Sequence, residues 1–255
     1  MDVNGVGAIV TGGASGLGAG TAEMLAKNGA KVTIFDLNAE MGKAKAAEIG
    51  GHFISVNVTD EDSVRNAILE AEERHGKARV CINCAGVATP GKILARDGSP
   101  MPLADFAKVV NINLIGTYNV LSKFAARIHD AEPLGEDNER GVIINTASVA
   151  AYEAQIGQPA YGASKGGVMA LTLPAAREFA RYGIRVMTIA PGIFWTPMMA
   201  GLPQEAQDSL ATQIPFPSRL GSPKEYAMLA HSIISNPMLN GETIRLDGAI
   251  RMGPK

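Results

Sequence analysis

Short apolar runs alternate with longer amphipathic segments along almost the whole chain. The short runs have the length and apolar content of buried strands, whereas the longer segments place apolar residues at helical spacing. The pattern predicts strands at 6–10, 31–36, 52–56, 79–83, 142–146, 185–189 and 242–246, and helices at 16–28, 39–49, 61–75, 103–129, 160–182 and 224–235.

Strands that alternate with helices predict a parallel sheet that is covered by helices on both faces. We therefore expect an α/β fold, a Rossmann-type doubly wound sheet of about seven strands, in a single domain over 1–255. The ligand crevice of such a fold lies at the carboxyl ends of the strands. Asp36, Asn83, Ser148 and Pro191 lie at or just after predicted strand ends, so we expect them to converge.

A glycine-rich loop joins the first predicted strand to the first predicted helix. It spans 11–18 and includes Gly12, Gly16 and Gly18. Strand, glycine loop and helix together form the context of a dinucleotide-binding fingerprint. The glycines let the backbone approach a pyrophosphate, and the helix N-terminus supplies free N–H groups. The glycines alone are also compatible with an ordinary turn between a strand and a helix.

The second predicted strand ends at Asp36, and this residue predicts the choice of dinucleotide. A carboxylate there accepts hydrogen bonds from the ribose hydroxyls and repels a 2′-phosphate. No Lys or Arg that could hold such a phosphate occurs from 11 to 26 or between Asp36 and Met41. We therefore expect NAD rather than NADP, the alternative being an Asp that merely opens the turn before Asn38.

Composition and charge give no sign of nucleic-acid or membrane partners. The chain has 255 residues, a net charge of −2 and a pI near 6.1, so it presents no basic excess for nucleic acid. No apolar stretch approaches the roughly 20 residues of a membrane span, and the N-terminus lacks the basic region of a signal peptide. The simplest expectation is a cytoplasmic protein.

The two cysteines, Cys81 and Cys84, form a Cys-x-x-Cys pattern that could indicate a redox or metal site. Side chains three positions apart on a strand point to opposite faces, however, and no second cysteine pair or nearby histidine completes a set of ligands. We therefore expect two buried strand thiols and no metal. The four histidines lie outside every motif.

Tyr161 and Lys165 stand four residues apart, and Ser148 precedes Tyr161 by thirteen residues. Their spacing places both on one helical face, and a helix that begins near Pro159 has Tyr161 in its first turn, where the dipole favours an anion. A charge about 4 Å away, at an effective dielectric of about 20, contributes roughly 4 kcal/mol. The predicted phenol pKa is therefore about 7 instead of about 10, which suits a general acid–base.

The chain resembles the short-chain dehydrogenase/reductase family over its whole length, because it contains six motifs of that family in the same order. They are Thr11-Gly12-x-x-x-Gly16-x-Gly18, Asn83-x-Ala85-Gly86, Asn113, Ser148, Tyr161-x-x-x-Lys165 and Pro191-Gly192. The resemblance implies that Tyr161 exchanges a proton with the substrate oxygen, which Ser148 holds. It implies that Lys165 lowers the pKa of Tyr161 and binds the nicotinamide ribose. Asn113 would bind a water of a proton relay, with Asn111 as the competing candidate.

The resemblance also implies which residues contact the cofactor. Besides Tyr161 and Lys165, they are Gly12, Ser15, Leu17 and Gly18 at the pyrophosphate, Asp36, Asn57, Val58, Asn83, Ala85 and Gly86 on the adenosine side, and Pro191, Gly192, Ile193 and Thr196 at the nicotinamide. The family often has Asn where Cys84 stands here.

Substrate choice in this family depends on the segment after the Pro-Gly motif, here a predicted lid over 194–221 that is apolar, Met-rich and rich in Pro. Segments 142–151, 216–221 and 240–252 resemble the family members that oxidise short or branched 3-hydroxyacyl-CoA thioesters and hydroxysteroids. The expected reaction is NAD-linked oxidation of such a secondary alcohol to a ketone, and Trp195 is expected to narrow the pocket. A dehydrogenase of a hydroxysteroid or another secondary alcohol, and a non-catalytic NAD-binding sensor or scaffold, are the alternatives. The resemblance also implies a homotetramer.

Overall fold

The computed structural model describes residues 1–200 and 204–254 and confirms the predicted fold class. In this part of the chain, a seven-stranded sheet has the strand order β3-β2-β1-β4-β5-β6-β7, and every strand pair is parallel. The strands are β1 (Gly7–Thr11), β2 (Lys31–Asp36), β3 (His52–Ser55), β4 (Ala78–Asn83), β5 (Gly141–Thr146), β6 (Ile184–Pro191) and β7 (Thr243–Leu246).

Helices connect the strands and cover both faces of the sheet. They are α1 (Gly16–Lys27), α2 (Ala39–Ile49), α3 (Glu61–His75), α4 (Leu103–Val110), α5 (Gly116–Ile128), α6 (Ala150–Glu153), α7 (Pro159–Phe179), α8 (Pro197–Ala200), α9 (Gln204–Thr212) and α10 (Pro223–Ser235). The short helices α6, α8 and α9 lie in segments for which the sequence pattern predicts neither helix nor strand.

The prediction of one uninterrupted α-helix over 103–129 is wrong in one respect. A π-helical turn, Asn111–Ile115, separates α4 from α5, and the Gly116 amide donates to the Asn111 carbonyl five residues earlier. Such turns insert a residue into a helix without breaking it, and they are frequent at functional sites. Hydrophobic periodicity does not detect the insertion, because the backbone on both sides of the turn stays helical.

Alternate residues of each central strand pack into two different core layers. Ile9 and Ile143 face the layer of α3 and α5, together with Phe124 of α5. Val10 and Ile144 face the other layer. Because both faces are buried, the strands are almost continuously apolar, as parallel strands between helices require.

The strand register places the carboxyl ends of the central strands side by side. Thr11, at the end of β1, lies opposite Phe35 of β2 on one side and Asn83 of β4 on the other. The chain order reverses between β1 and β4, so the connections leave in opposite directions and open a crevice there.

Candidate active site

The loop between β1 and α1 has the shape of a phosphate cradle. Gly12 has a φ of +63°, and a Cβ there would lie 2.8 Å from the Ala85 amide nitrogen. A Cβ on Gly18 would lie 2.2 Å from the Gly12 carbonyl oxygen. Ser15 precedes α1 without a capping hydrogen bond from its side chain. The free amides at this helix end can therefore bind an anion that approaches the bare backbone of the loop.

Asp36 stands at the end of β2 beside this loop and is half-buried. One carboxylate oxygen accepts a hydrogen bond from the Ala14 amide at 3.1 Å, and the other accepts from the Asn38 amide at 2.9 Å. The carboxylate is therefore tied to the glycine loop. Each oxygen retains a lone pair that can accept a bond from a hydroxyl.

A cleft of about 1170 Å³ runs along the carboxyl ends of the strands and brings most of the predicted site residues together. Two predicted residues, Asn83 and Asn113, do not line it. The predicted residues that do line it are Gly12, Ser15, Leu17, Gly18, Asp36, Asn57, Val58, Ala85, Gly86, Ser148, Tyr161, Lys165, Pro191, Gly192, Ile193 and Thr196.

Tyr161, Lys165 and Ser148 lie close together in the cleft. Tyr161 lies in the first turn of α7, which begins at Pro159, and Ser148 lies just past the end of β5. The Lys165 Nζ is 5.9 Å from the centroid of the Tyr161 ring. It donates a hydrogen bond of 2.7 Å to the carbonyl of Thr146, the last residue of β5. The arrangement places a hydroxyl, a phenol and a buried cation around one point.

The predicted fall in the pKa of Tyr161 is wrong for the protein chain by itself. Burial raises the pKa of the phenol above its usual value, and the Ser148 side chain only partly opposes that rise. The Lys165 ammonium lies against the Thr146 carbonyl, and burial lowers the pKa of Lys165 from 10.5 to about 8. Desolvation therefore exceeds the attraction between the two charges that the i, i+4 spacing suggested.

Asn113 is buried behind the cleft in the π-helical turn. Its side-chain NH₂ donates to the Val87 carbonyl at 2.9 Å and to the Ser164 hydroxyl at 3.0 Å, while its Oδ1 accepts from the Val87 amide at 2.8 Å. Both side-chain hydrogens are therefore used within the protein. Asn111, the competing candidate, is exposed and lines the cleft.

Asn83 is the other predicted residue that stays behind the cleft. It is the last residue of β4, and its Nδ2 donates to Oδ1 of the neighbouring Asn145 at 2.9 Å. Both side chains are buried. The amide links two strand ends, so the Asn83 side chain is directed away from the cleft, and a contact between Asn83 and the cofactor stays a prediction.

The cleft also includes residues that the sequence does not predict as site residues. Gln158 and Met252 line the cleft, and so does Cys84, which lies just after β4 and is half-buried. The expectation that Cys84 is a buried strand thiol is therefore wrong, because β4 ends at Asn83.

Trp195 is 47% exposed and does not line the cleft, so it does not narrow the pocket.

Two other kinds of site are absent from the described residues. No group of three or more His, Cys, Asp or Glu side chains there could hold a metal ion. No helix within 1–200 or 204–254 is long and apolar enough to cross a membrane.

The model of a protein family, described as short chain dehydrogenase, matches residues 7–207. The chain belongs to this family. It is an oxidoreductase that uses a nicotinamide cofactor and a small-molecule substrate.

Individual relatives agree with each other in name. The 3-hydroxyacyl-CoA dehydrogenase type-2 of Homo sapiens is 51% identical over 99% of this chain and 97% of its own length. The protein of that name from Drosophila melanogaster is 50% identical over 96% of this chain and 97% of its own. The crystal structure of 3-hydroxyacyl-CoA dehydrogenase type-2 from Mycobacterium avium has a TM-score of 0.93 at 48% identity and covers 98% of both chains.

Proposed function

We propose that the protein is an NAD-dependent dehydrogenase that oxidises a 3-hydroxyacyl-CoA, short or branched, to the 3-oxoacyl-CoA. The observation that carries the proposal is the meeting of Ser148, Tyr161 and Lys165 in a cleft that also includes the glycine cradle. The relatives at about half identity over the full chain, which are named for this reaction, support the choice of substrate.

Each side chain has a distinct task in this proposal. Ser148 donates a hydrogen bond to the substrate oxygen, and Tyr161, in its phenolate form, accepts the proton that this oxygen loses. Bound NAD would accept the hydride. Because burial disfavours the phenolate of Tyr161, the proton transfer needs a nearby positive charge, and Lys165 is the buried cation that the described part of the cleft offers. The Asn113 amide holds the Val87 segment of the cleft wall in place.

The choice of NAD over NADP rests on Asp36. Its carboxylate beside the loop would repel a 2′-phosphate, and Lys108 and Lys165 are the cations among the described residues that line the cleft. In Asp36→Asn the repulsion is removed while one side-chain oxygen remains, so the ratio of kcat/KM for NAD to that for NADP should fall. Asp60→Asn is the matched control, because Asp60 caps α3 outside the cleft. A wild-type preference for NADP would contradict the assignment.

The substrate is tested by NADH formation across 3-hydroxyacyl-CoA esters, hydroxysteroids and simple secondary alcohols. We expect the thioesters to have the highest kcat/KM, and Tyr161→Phe to lower kcat by about 10²- to 10⁴-fold. Tyr118→Phe, a change on the exposed face of α5, is the control. Highest turnover of steroids or simple alcohols would select the second substrate class. NAD binding without any turnover would indicate a sensor or scaffold.

A hydroxysteroid or other apolar secondary alcohol is the second candidate substrate. The observation that favours it is the apolar part of the cleft lining, which includes Val149, Ile193, Phe194 and Met252. The proposed lid over 194–221 includes α8, α9 and Phe194, while 201–203 lie outside the described residues. A single domain over 1–255 and a cytoplasmic location stay predictions.

We also propose a homotetramer, with α7 in a subunit interface. Gly162 and Gly167 have reasons within the subunit to be small, since a Cβ on either would lie 2.6 Å from Ala154 or Leu114. Ala163 and Ala170 are exposed on the same helix and leave room for a second helix. Sedimentation equilibrium should give four times the mass of one chain, and a monomer would refute this proposal.

A further inference from the structure

Lys165 is buried without a carboxylate partner. It is 5% exposed, and no ion pair links it to an acid in the part of the chain that the structure describes. Its ammonium donates to the Thr146 carbonyl at 2.7 Å. The titratable groups that face it are the thiol of Cys84 and the ring of Tyr161. The Thr146 main-chain carbonyl therefore sets the position of the Lys165 ammonium.

The side chain of the same residue, Thr146, belongs to a closed ring of hydrogen bonds. The Thr146 hydroxyl donates to the Cys84 Sγ at 3.4 Å, and the Cys84 thiol donates to the Tyr226 Oη at 3.8 Å. The Tyr226 and Thr146 oxygens are 2.7 Å apart. Because the Thr146 proton is already used, Tyr226 must donate to Thr146. Each member then donates once and accepts once.

The ring is uncharged, and its tyrosine is buried in the core. Burial raises the pKa of the Cys84 thiol, and burial raises the pKa of Tyr226 well above its usual value, so both stay protonated near neutral pH. Tyr226 is fully buried in α10 and packs in the same core layer as Val10 and Ile144. The ring thus joins α10 to the end of β5 at Thr146, the residue whose carbonyl accepts the hydrogen bond from Lys165.

We propose that Tyr226 and Thr146 are positioning residues for Lys165. The ring that they form with Cys84 fixes the end of β5, so that the Thr146 carbonyl holds the Lys165 ammonium at the wall of the cleft. The inference rests on the proposed function only for the use that the enzyme makes of Lys165. Without the Tyr226 hydroxyl, the main chain at Thr146 is still paired with Ile189 of β6 but loses its tie to α10. The carbonyl then has more freedom, its hydrogen bond to the ammonium weakens, and the ammonium is easier to deprotonate.

The test is an NMR titration of the protein labelled with ¹³C at lysine Cε, in which the Lys165 signal is identified by its absence in Lys165→Arg. We expect the wild-type signal to titrate near pH 8. In Tyr226→Phe the midpoint should fall by about half a pH unit or more, because the ring that holds Thr146 loses a hydrogen bond of ordinary net strength. The pH at which NAD binding weakens should fall by the same amount.

Tyr182→Phe is the matched control, because Tyr182 packs on the opposite core layer. The midpoint of the Lys165 signal in this variant should equal that in the wild type. A second pair of variants avoids dependence on Tyr226: Thr146→Val, which lacks the hydroxyl, should lower the midpoint, and Thr146→Ser should restore it. An unchanged midpoint in folded Tyr226→Phe, or equal midpoints in the two Thr146 variants, would overturn the proposal. Because these midpoints are measured without substrate, they remain decisive even if no substrate of the panel is turned over.

Discussion

Replacement of Lys165 by Met should stabilise the protein while it removes the activity. The side chain is 5% exposed and carries its charge in a cleft wall without an acidic partner among the described residues. Burial lowers the pKa of Lys165 from 10.5 to about 8, which means that folding disfavours the protonated form. Methionine has a similar length and no charge to desolvate.

The expected gain follows from the change in the pKa of Lys165. One pH unit corresponds to about 1.36 kcal/mol, so the fall from 10.5 to about 8 corresponds to about 3 kcal/mol. Below pH 8 Lys165 is protonated in both the folded and the unfolded chain, and the full cost of the buried charge is present. Between pH 8 and 10.5 the unfolded chain binds more protons, so the stability of the wild type rises with pH. The free energy of unfolding of Lys165→Met should therefore exceed that of the wild type by about 2–3 kcal/mol at pH 7, and the difference should shrink towards zero at pH 10.

The assay is urea unfolding without cofactor at pH 7 and pH 10. Other groups that titrate in this range affect both proteins equally and cancel in the difference. The control is Lys92→Met on an exposed loop, for which we expect a change below about 0.5 kcal/mol at both pH values. A Lys165→Met protein that is no more stable than the wild type at pH 7 would refute the reasoning, as would a gain that does not depend on pH.

Three further outcomes are expected. Arg185→Met should lower the free energy of unfolding by about 3–5 kcal/mol in urea titrations, because the buried Glu139 carboxylate loses its ion pair at 2.8 Å and keeps the N-terminal ammonium at 3.2 Å, while the buried carbonyls of Ile233 and Ile234 lose their donor; a loss below about 1 kcal/mol would contradict the role of Arg185. Gly18→Ala should abolish measurable NAD binding in calorimetry, because its Cβ would meet the backbone carbonyl of Gly12 at 2.2 Å, and wild-type affinity would show that the loop does not form the cradle. Trp195→Ala should leave the order of kcat/KM among acyl chain lengths unchanged, because the indole lies outside the cleft.

Several features of the fold and site could be predicted because they depend on neighbours along the chain. A buried parallel strand requires a short apolar run, and the alternation of such runs with amphipathic helices leads to the doubly wound sheet. The i, i+4 spacing places Tyr161 and Lys165 on one helical face, and α7 begins at Pro159 as expected. Asp36 stands at the end of its strand, beside the glycine loop.

Other features depend on contacts between distant segments, for which a single sequence has no local signal. The amide of Asn113 is directed to Val87, and that of Asn83 is directed to Asn145, so neither side chain reaches the cleft. The ring that joins Cys84 and Tyr226 closes across β5, α10 and the loop after β4.

The sequence by itself determined the order of strands and helices, the glycine loop and the spacing of the catalytic candidates, because strand and helix geometry repeat over two to four residues. Only the tertiary structure decided the electrostatics of these groups. The pKa of Tyr161 rises and that of Lys165 falls because packing removes water from both and places the Lys165 ammonium against the carbonyl of Thr146. Desolvation adds up over all surrounding atoms, whatever their position in the chain, so the spacing of two residues does not predict it.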